Sequence, residues 1–212
     1  MGVWELLGIS SGIGLLAGIR LYATVLAIGL AIRFDWFTPT PAQPGEASWA
    51  ILAHPAVLAI AAAGVVIELI ADKVLWLDSL WDGLHTFLRP IGAVLLATAA
   101  FGNVDPAFRV VLILLCGGMA LTSHASKAAT RLAVNTSPEP ASNIALSAAE
   151  DLMVPAGLWL VFSHPLITLG VVVVFLILFA ILARQIWKLF QRRRAARRSK
   201  QAADIANSPL TS

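Results

Sequence analysis

Runs of about twenty apolar residues return repeatedly along this chain, and that recurrence limits its fold more than its length does. Such a run is what an α-helix needs to cross a bilayer, since each residue advances the helix by about 1.5 Å. Six spans are expected, near 6–33, 55–74, 84–102, 107–131, 144–163 and 165–188. The composition agrees. Of 212 residues, 58% are hydrophobic and 13% charged, where soluble domains average about 45–50% and about 25%. The fold class follows as all-α: a polytopic membrane helix bundle of about six transmembrane helices. Residues 1–190 are expected to form the membrane domain, and 191–212 a basic and then disordered cytoplasmic tail.

Sidedness follows from the basic residues. Lys73, Arg89, Lys127, Arg131 and the tail fall on one face, and Arg33 and Arg109 on the other. Because positive charge is retained on the cytoplasmic side, both termini are expected there, in a multi-pass protein of the cell inner membrane. Trp76, Trp81 and Trp187 would mark the inner interface, and Trp36 and Trp49 the outer. No cleavable signal peptide is expected, because the first apolar run carries Glu5 and no early positive charge. The net charge of +3 does not indicate a nucleic-acid partner, since six of the fifteen basic residues lie between Arg192 and Lys200. In that tail, Arg192, Arg193, Arg194, Arg197 and Arg198 are placed to meet anionic lipid headgroups. The single cysteine, Cys116, lies in an apolar run and supplies neither a disulfide framework nor a thiolate metal site.

The stretch Gly8-Ile9-Ser10-Ser11-Gly12-Ile13-Gly14 resembles a dinucleotide-binding turn, but that turn needs a preceding β-strand and a following helix N-terminus. Only seven residues precede Gly8, and the lone Tyr22 has no lysine four residues on, so no nucleotide is expected. What remains is glycine spacing. Gly8 with Gly12, and Gly14 with Gly18, form two small-xxx-small pairs that let another helix approach closely. Four glycines also weaken a helix. Close packing and a broken or re-entrant first helix each account for the pattern. Two further punctuations, Pro90-Ile91-Gly92 and Pro155-Ala156-Gly157, follow an ionisable residue by five positions, His85 and Glu150. Paired interrupted helices in two halves of a chain would point to a transporter-type site.

Charges inside spans cost about 2.5–3.5 kcal/mol each on insertion scales and usually face the bundle interior. Arg20 follows the glycine cluster. Glu68 and Asp72 are one turn apart with Lys73 beside them. Asp82, His85 and Arg89 share a helical face, as do His124, Lys127 and Arg131, and Ser147, Glu150 and Asp151 enter the fifth span. One reading has the basic groups snorkel to headgroups, with the acids simply pairing with them. The sharper reading is a polar cavity open to the cytoplasm, built by Arg20, Glu68, Asp72, Lys73, Asp82, His85, Arg89, His124, Lys127, Glu150 and Asp151. There acids and histidines would take protons or cations, and basic groups would orient an anion. No zinc-binding histidine spacing supports a metal, no nucleophile elbow supports a hydrolase, and no cofactor is implied.

The segments "GIGLLAGIRLYATVLAIGLAIRF", "VIELIADKV", "LHTFLRPIGAVLLA", "SHASKAATRLAVNTSPEP" and "AAEDLMVP" resemble a bacterial integral membrane family catalogued only as a domain of unknown function, DUF4126. The likeness runs to about Phe179, with Glu68 to Lys73 and Arg89-Pro90 its most specific parts. It implies the membrane fold and no particular chemistry, and the basic tail looks like an addition to it.

The function expected from this pattern is a small transporter, or a channel for a small solute or ion. Alternatives are a non-transporting scaffold and an intramembrane enzyme acting on lipid headgroups. The expected partners are the bilayer and anionic lipid, with a homo-oligomer left open. Reporter fusions after residues 40 and 212 test the sidedness: the first should report outside and the second inside, and an external C-terminus would overturn it.

Overall fold

The computed structural model describes residues 2–36, 49–71, 75–134 and 140–206. Among them are seven α-helices and no strand: α1 Val3–Ile19, α2 Leu21–Arg33, α3 Pro55–Ala71, α4 Leu75–Ala100, α5 Pro106–Val134, α6 Pro140–Ser163 and α7 Pro165–Ala206. A 3₁₀ turn, Trp49–Ala53, precedes α3. Three stretches are long and apolar enough to cross a membrane alone, Gly83–Ala100, Pro106–Arg131 and Pro165–Lys188, while α1, α2 and α3 are shorter apolar helices. The chain is an all-helical membrane bundle.

It divides into two units, Met1–Val172 and Val173–Ser212. In the first, α1 is the central element. It is apolar around its whole circumference, as a helix surrounded by protein should be. From Gly8 to Ile19 all its residues but Leu15 are buried. It packs on α5 above all, and also on α6, α4 and α2. The core joins Ile9, Ile13 and Leu16 of α1 to Ala93 and Leu96 of α4, Leu112 and Cys116 of α5, and Val154 and Leu158 of α6. Ser10 adds a polar tie to this interface, its hydroxyl donating to the Leu112 carbonyl at 2.6 Å. The second unit is the remainder of α7. The helix continues through the basic run to Ala206, into the stretch beyond Arg198 expected to be disordered, where Ala202, Ala203 and Ala206 favour helix.

Local chemistry explains most boundaries. Proline opens α3, α5, α6 and α7, where its missing N–H costs nothing. Asp105 caps α5, its carboxylate accepting from the amides of Ala107 and Phe108 at 3.0 and 3.1 Å. The end of α2 is a Schellman turn: Trp36 N donates to Ala31 O at 2.8 Å, with Asp35 at φ 57° filling the left-handed position that glycine usually takes. Trp36 is exposed, as an interfacial residue would be, but Trp49 is buried and packs edge-on against Phe162 at 5.8 Å.

Of the two glycine readings, close packing holds at the glycines, and the first span breaks elsewhere. Gly8 to Gly18 lie within an intact helix. A methyl group at Gly8 or Gly12 would strike the start of α7, at the Pro165 carbonyl and Thr168 respectively, while one at Gly14 or Gly18 would strike α5 at Cys116, Ala120 and Ser123. The break comes just after them, at Arg20, whose φ of −142° and ψ of 85° leave the helical region and divide the expected first span into α1 and α2. The two run in opposite directions: Gly8 near the start of α1 meets Pro165 and Gly29 near the end of α2 meets Leu52, beside the Trp49–Phe162 pair. They form a hairpin, so the start of α1 lies at the end of the bundle that carries Arg33 and Arg109, and not, as expected, with Arg89, Lys127 and Arg131. The expected interruptions at Pro90 and Pro155 do not occur, because α4 and α6 run through both. Pro90 is half-buried and Pro155 is exposed on the outside of α6, and at both a continuous helix keeps the remaining backbone groups bonded. The two Pro-x-Gly motifs instead share a packing role: Gly92 seats Leu21, and Gly157 seats Leu16.

Gly18→Ala should therefore destabilise the detergent-solubilised protein by about 1–3 kcal/mol through overpacking. Gly118→Ala, where an added methyl meets nothing within 4 Å, should be neutral or stabilise by up to about 1 kcal/mol. Thermal unfolding of the two variants side by side checks both.

Candidate functional site

The break at Arg20 creates the site. Where α1 ends, its last carbonyls lose the amides that would have bonded them, and the helix dipole concentrates negative charge there. Two cations answer it. Arg89 of α4 donates from Nη1 to the Gly18 carbonyl at 2.9 Å, and Lys127 of α5 donates to the Ile19 carbonyl at 3.1 Å. The next helix is tied to the same junction, since the amide and hydroxyl of Thr24 both donate to the Arg20 carbonyl, at 3.0 and 2.7 Å.

Around this junction the ionisable residues of five elements meet in direct contact. Glu68, in the last turn of α3, places Oε1 2.6 Å from Arg89 Nη2, 3.9 Å from Arg20 Nη1 and 4.0 Å from Lys127 Nζ. Glu150 of α6 places Oε2 2.9 Å from Lys127, 3.1 Å from Arg131 and 3.5 Å from Arg20. Each buried acid thus faces three cations. Asp151 joins from the edge, 3.1 Å from Arg20 Nη2, with its side chain 44% exposed. Arg20, Glu68 and Arg89 are each no more than 1% exposed. Such burial is tolerable only because every charge has opposite charge within contact, and withdrawing one partner would leave others desolvated and unpaired.

The geometry fixes one protonation state. Arg89 Nη1 lies 2.7 Å from His124 Nδ1, and a guanidinium can only donate. His124 Nδ1 therefore accepts, its proton sits on Nε2, and that nitrogen donates to Thr86 Oγ1 at 3.2 Å. The neighbouring His85, fully buried, donates from Nδ1 to the Trp81 carbonyl at 2.8 Å. Its ring lies against those of Trp81 and Tyr22, with centroids 4.5 and 5.6 Å away.

The structure thus brings together Arg20, Glu68, Arg89, His124, Lys127, Glu150 and Asp151 from the expected set, and places His85 one turn from Arg89 among aromatic rings. Asp72 and Lys73 lie outside the described residues, as do the side chains of Asp82, Arg192, Arg193, Arg197 and Arg198; Arg194 is exposed. Snorkelling does not describe Lys127 and Arg131, each only 6% exposed. Arg131, absent from the expected set, belongs to the cluster, and its position one turn beyond Lys127 is the signal for it. Thr86 and the Gly18 and Ile19 carbonyls had no such signal. Among the described residues, no group of three His, Cys, Asp or Glu side chains is arranged to hold a metal ion. A separate apolar groove of about 250 Å³ lies between α1, α6 and the first turns of α7, lined by Gly12, Leu16, Met153, Gly157, Val161 and Thr168 among others.

A family model described as a domain of unknown function (DUF4126) matches residues 7–185. The chain belongs to that family. The match takes in every member of the charged cluster and stops short of the basic run at Arg192–Lys200. No curated protein and no solved structure matches the chain.

Glu68→Gln and Arg89→Gln should each destabilise the protein by about 3–5 kcal/mol, as removing one side of a buried pair does. The double variant should lose less than the sum of the two, by about 0.5–3 kcal/mol. A double-mutant cycle on thermal or denaturant unfolding measures that coupling, and simple additivity would mean the two groups do not act together.

Proposed function

We propose that this member of the family is a small transporter, or a channel for a small solute or ion, in the cell inner membrane, with the charged end of the bundle toward the cytoplasm. The observation that carries the reading is the break at Arg20. Discontinuous helices whose ends meet ionisable side chains are where transporters build their sites, and ionisable residues within spanning segments mark ion and substrate pathways. The working set is Arg20, Glu68, Asp72, Lys73, Asp82, His85, Arg89, His124, Lys127, Glu150 and Asp151, joined by Arg131. With its charges in direct contact, the cluster is a closed state. A substrate ion would enter by taking the place of one partner, so that an anion relieves Glu68 or Glu150 and a cation or proton relieves Lys127 or a guanidinium. Sidedness rests on the positive charge of Arg89, Lys127, Arg131 and the tail, whose arginines would lie among anionic headgroups at about 1 kcal/mol per charge.

The same direct pairing favours a second reading, a non-transporting scaffold in which the cluster clamps α1, α3, α4, α5 and α6 together. The two separate in proteoliposomes. A screen of solute, ion and proton flux should find activity in the wild type that falls about tenfold or more in Glu68→Gln and Arg20→Ala, the loss of at least about 1.4 kcal/mol of site interaction. Size-exclusion and thermal profiles establish that the variants fold. Folded variants indistinguishable from wild type in every flux would remove the transport reading and leave the scaffold.

A further inference from the structure

Which ion the cluster handles is written in the difference between its cations. Three of the four in contact with Glu68 or Glu150 are guanidiniums, Arg20, Arg89 and Arg131, which keep their protons at any pH a protein meets. Lys127 is the exception, an ammonium that can become a neutral amine. Like Arg20, it touches both buried acids, with Nζ 2.9 Å from Glu150 Oε2 on α6 and 4.0 Å from Glu68 Oε1 on α3. Its third direction is taken by the Ile19 carbonyl at the end of α1. The remaining charges facing it are Arg20 at the junction and Arg89 on α4, with Arg131 one turn along its own helix. Two carboxylates hold its proton and three guanidiniums oppose it, so a small displacement of either acid changes the balance.

The cluster has an exposed edge. Asp151, 44% exposed, shares Arg20 Nη2 with Glu150 at 3.1 and 3.5 Å. From there the groups run inward: Glu150 at 5% exposure, Lys127 at 6% and Glu68 at 1%. We propose that Lys127 is a proton-binding site, and that the proton is the ion this cluster takes up and releases, an inference that rests on the transport reading above. In the transfer, an N–H bond of the Lys127 ammonium breaks, its electron pair stays on nitrogen, and the proton forms an O–H bond at Glu150 Oε2. The charged pair becomes a neutral amine and a neutral acid. Glu150 then holds Arg131 and Arg20 less strongly, the proton leaves Oε2 to water at the exposed edge, and the amine takes its replacement from water. The guanidiniums hold the acids in place throughout and exchange nothing.

The test compares wild type with Lys127→Arg, which keeps the charge but cannot give up its proton, and Lys127→Met, which keeps length without charge. Proton flux into vesicles is followed with an internal pH-sensitive dye, and proton uptake by the detergent-purified protein is titrated over the same pH range. The wild type should conduct protons, and neither folded variant should. Lys127→Arg should take up one proton fewer per chain. Equal uptake by wild type and Lys127→Arg overturns the proposal whatever the flux shows. Solute flux that persists in Lys127→Arg with its pH dependence unchanged overturns the proton assignment and leaves transport standing. A missing proton in Lys127→Arg, with no flux of any kind in the wild type, leaves the proton site standing and removes transport. Should the variants not fold, ε-¹⁵N-lysine resonances of the wild type give the answer directly, because the chain has only Lys73, Lys127, Lys188 and Lys200. A Lys127 amine that does not change state over that range overturns the proposal.

Discussion

The carbonyls at the end of α1 set the terms for the rest of this bundle. A helix that stops inside a packed interior leaves backbone acceptors with no water to satisfy them, and each would cost several kcal/mol if left alone. The chain answers with Arg89 and Lys127, whose donors reach Gly18 and Ile19 from two other helices. Bringing two cations into an apolar interior then requires anions, and Glu68 and Glu150 supply them from α3 and α6. Arg20, at the break itself, bridges both acids. The interruption of one helix thus dictates what four others must carry.

Close approach makes this geometry reachable. Lys127 can donate to Ile19 only if α5 lies almost in contact with the backbone of α1, and Gly14 and Gly18 provide that contact by presenting no side chain to Cys116, Ala120 and Ser123. Without a hydrophobic drive between helices in lipid, such packing and a few buried polar ties hold the association. The Ser10 hydroxyl on the Leu112 carbonyl is one tie. The Cys116 thiol on the Ala93 carbonyl, at 3.3 Å, is another. Glycines and charges are parts of one arrangement: the first remove distance so that the second can meet.

Much of the fold was legible because hydropathy and proline placement are local signals. The apolar runs marked the helices, and the prolines at positions 55 and 165 fell at true starts. The beginning of α4 at Leu75, nine residues before the expected position, was not, since Asp78 and Asp82 dilute the hydropathy of an otherwise regular helix. Glycine was misleading about where the first span breaks. Its intrinsic helix cost is smaller than the packing it permits, so the helix persists through all four glycines and yields at the arginine. All members of the charged cluster but Arg131 could be placed in the site from sequence, because a charge within an apolar run is conspicuous. Their pairings could not, since helical spacing says which residues share a face and nothing about which face another helix will meet. Backbone acceptors such as the Ile19 carbonyl leave no mark in a sequence at all.

Length gives the break a further meaning. At about 1.5 Å per residue, the 17 residues of α1 reach about 25 Å and the 13 of α2 about 20 Å, each short of the roughly 30 Å hydrocarbon layer. They do not join into one span: α1 begins beside Pro165 and α2 ends beside Leu52, at the end of the bundle where Trp49 meets Phe162, so the pair is a hairpin that turns at Arg20. A turn packed inside the bundle leaves backbone groups that only protein or trapped water can satisfy, and the 1% exposure of Arg20 shows that protein surrounds it here. A bundle that needed only a reversal could make it at the surface, where water caps helix ends with none of the buried charge. Burying the turn together with the groups that cap it is the strongest physical reason to regard the cluster as the working part of the molecule.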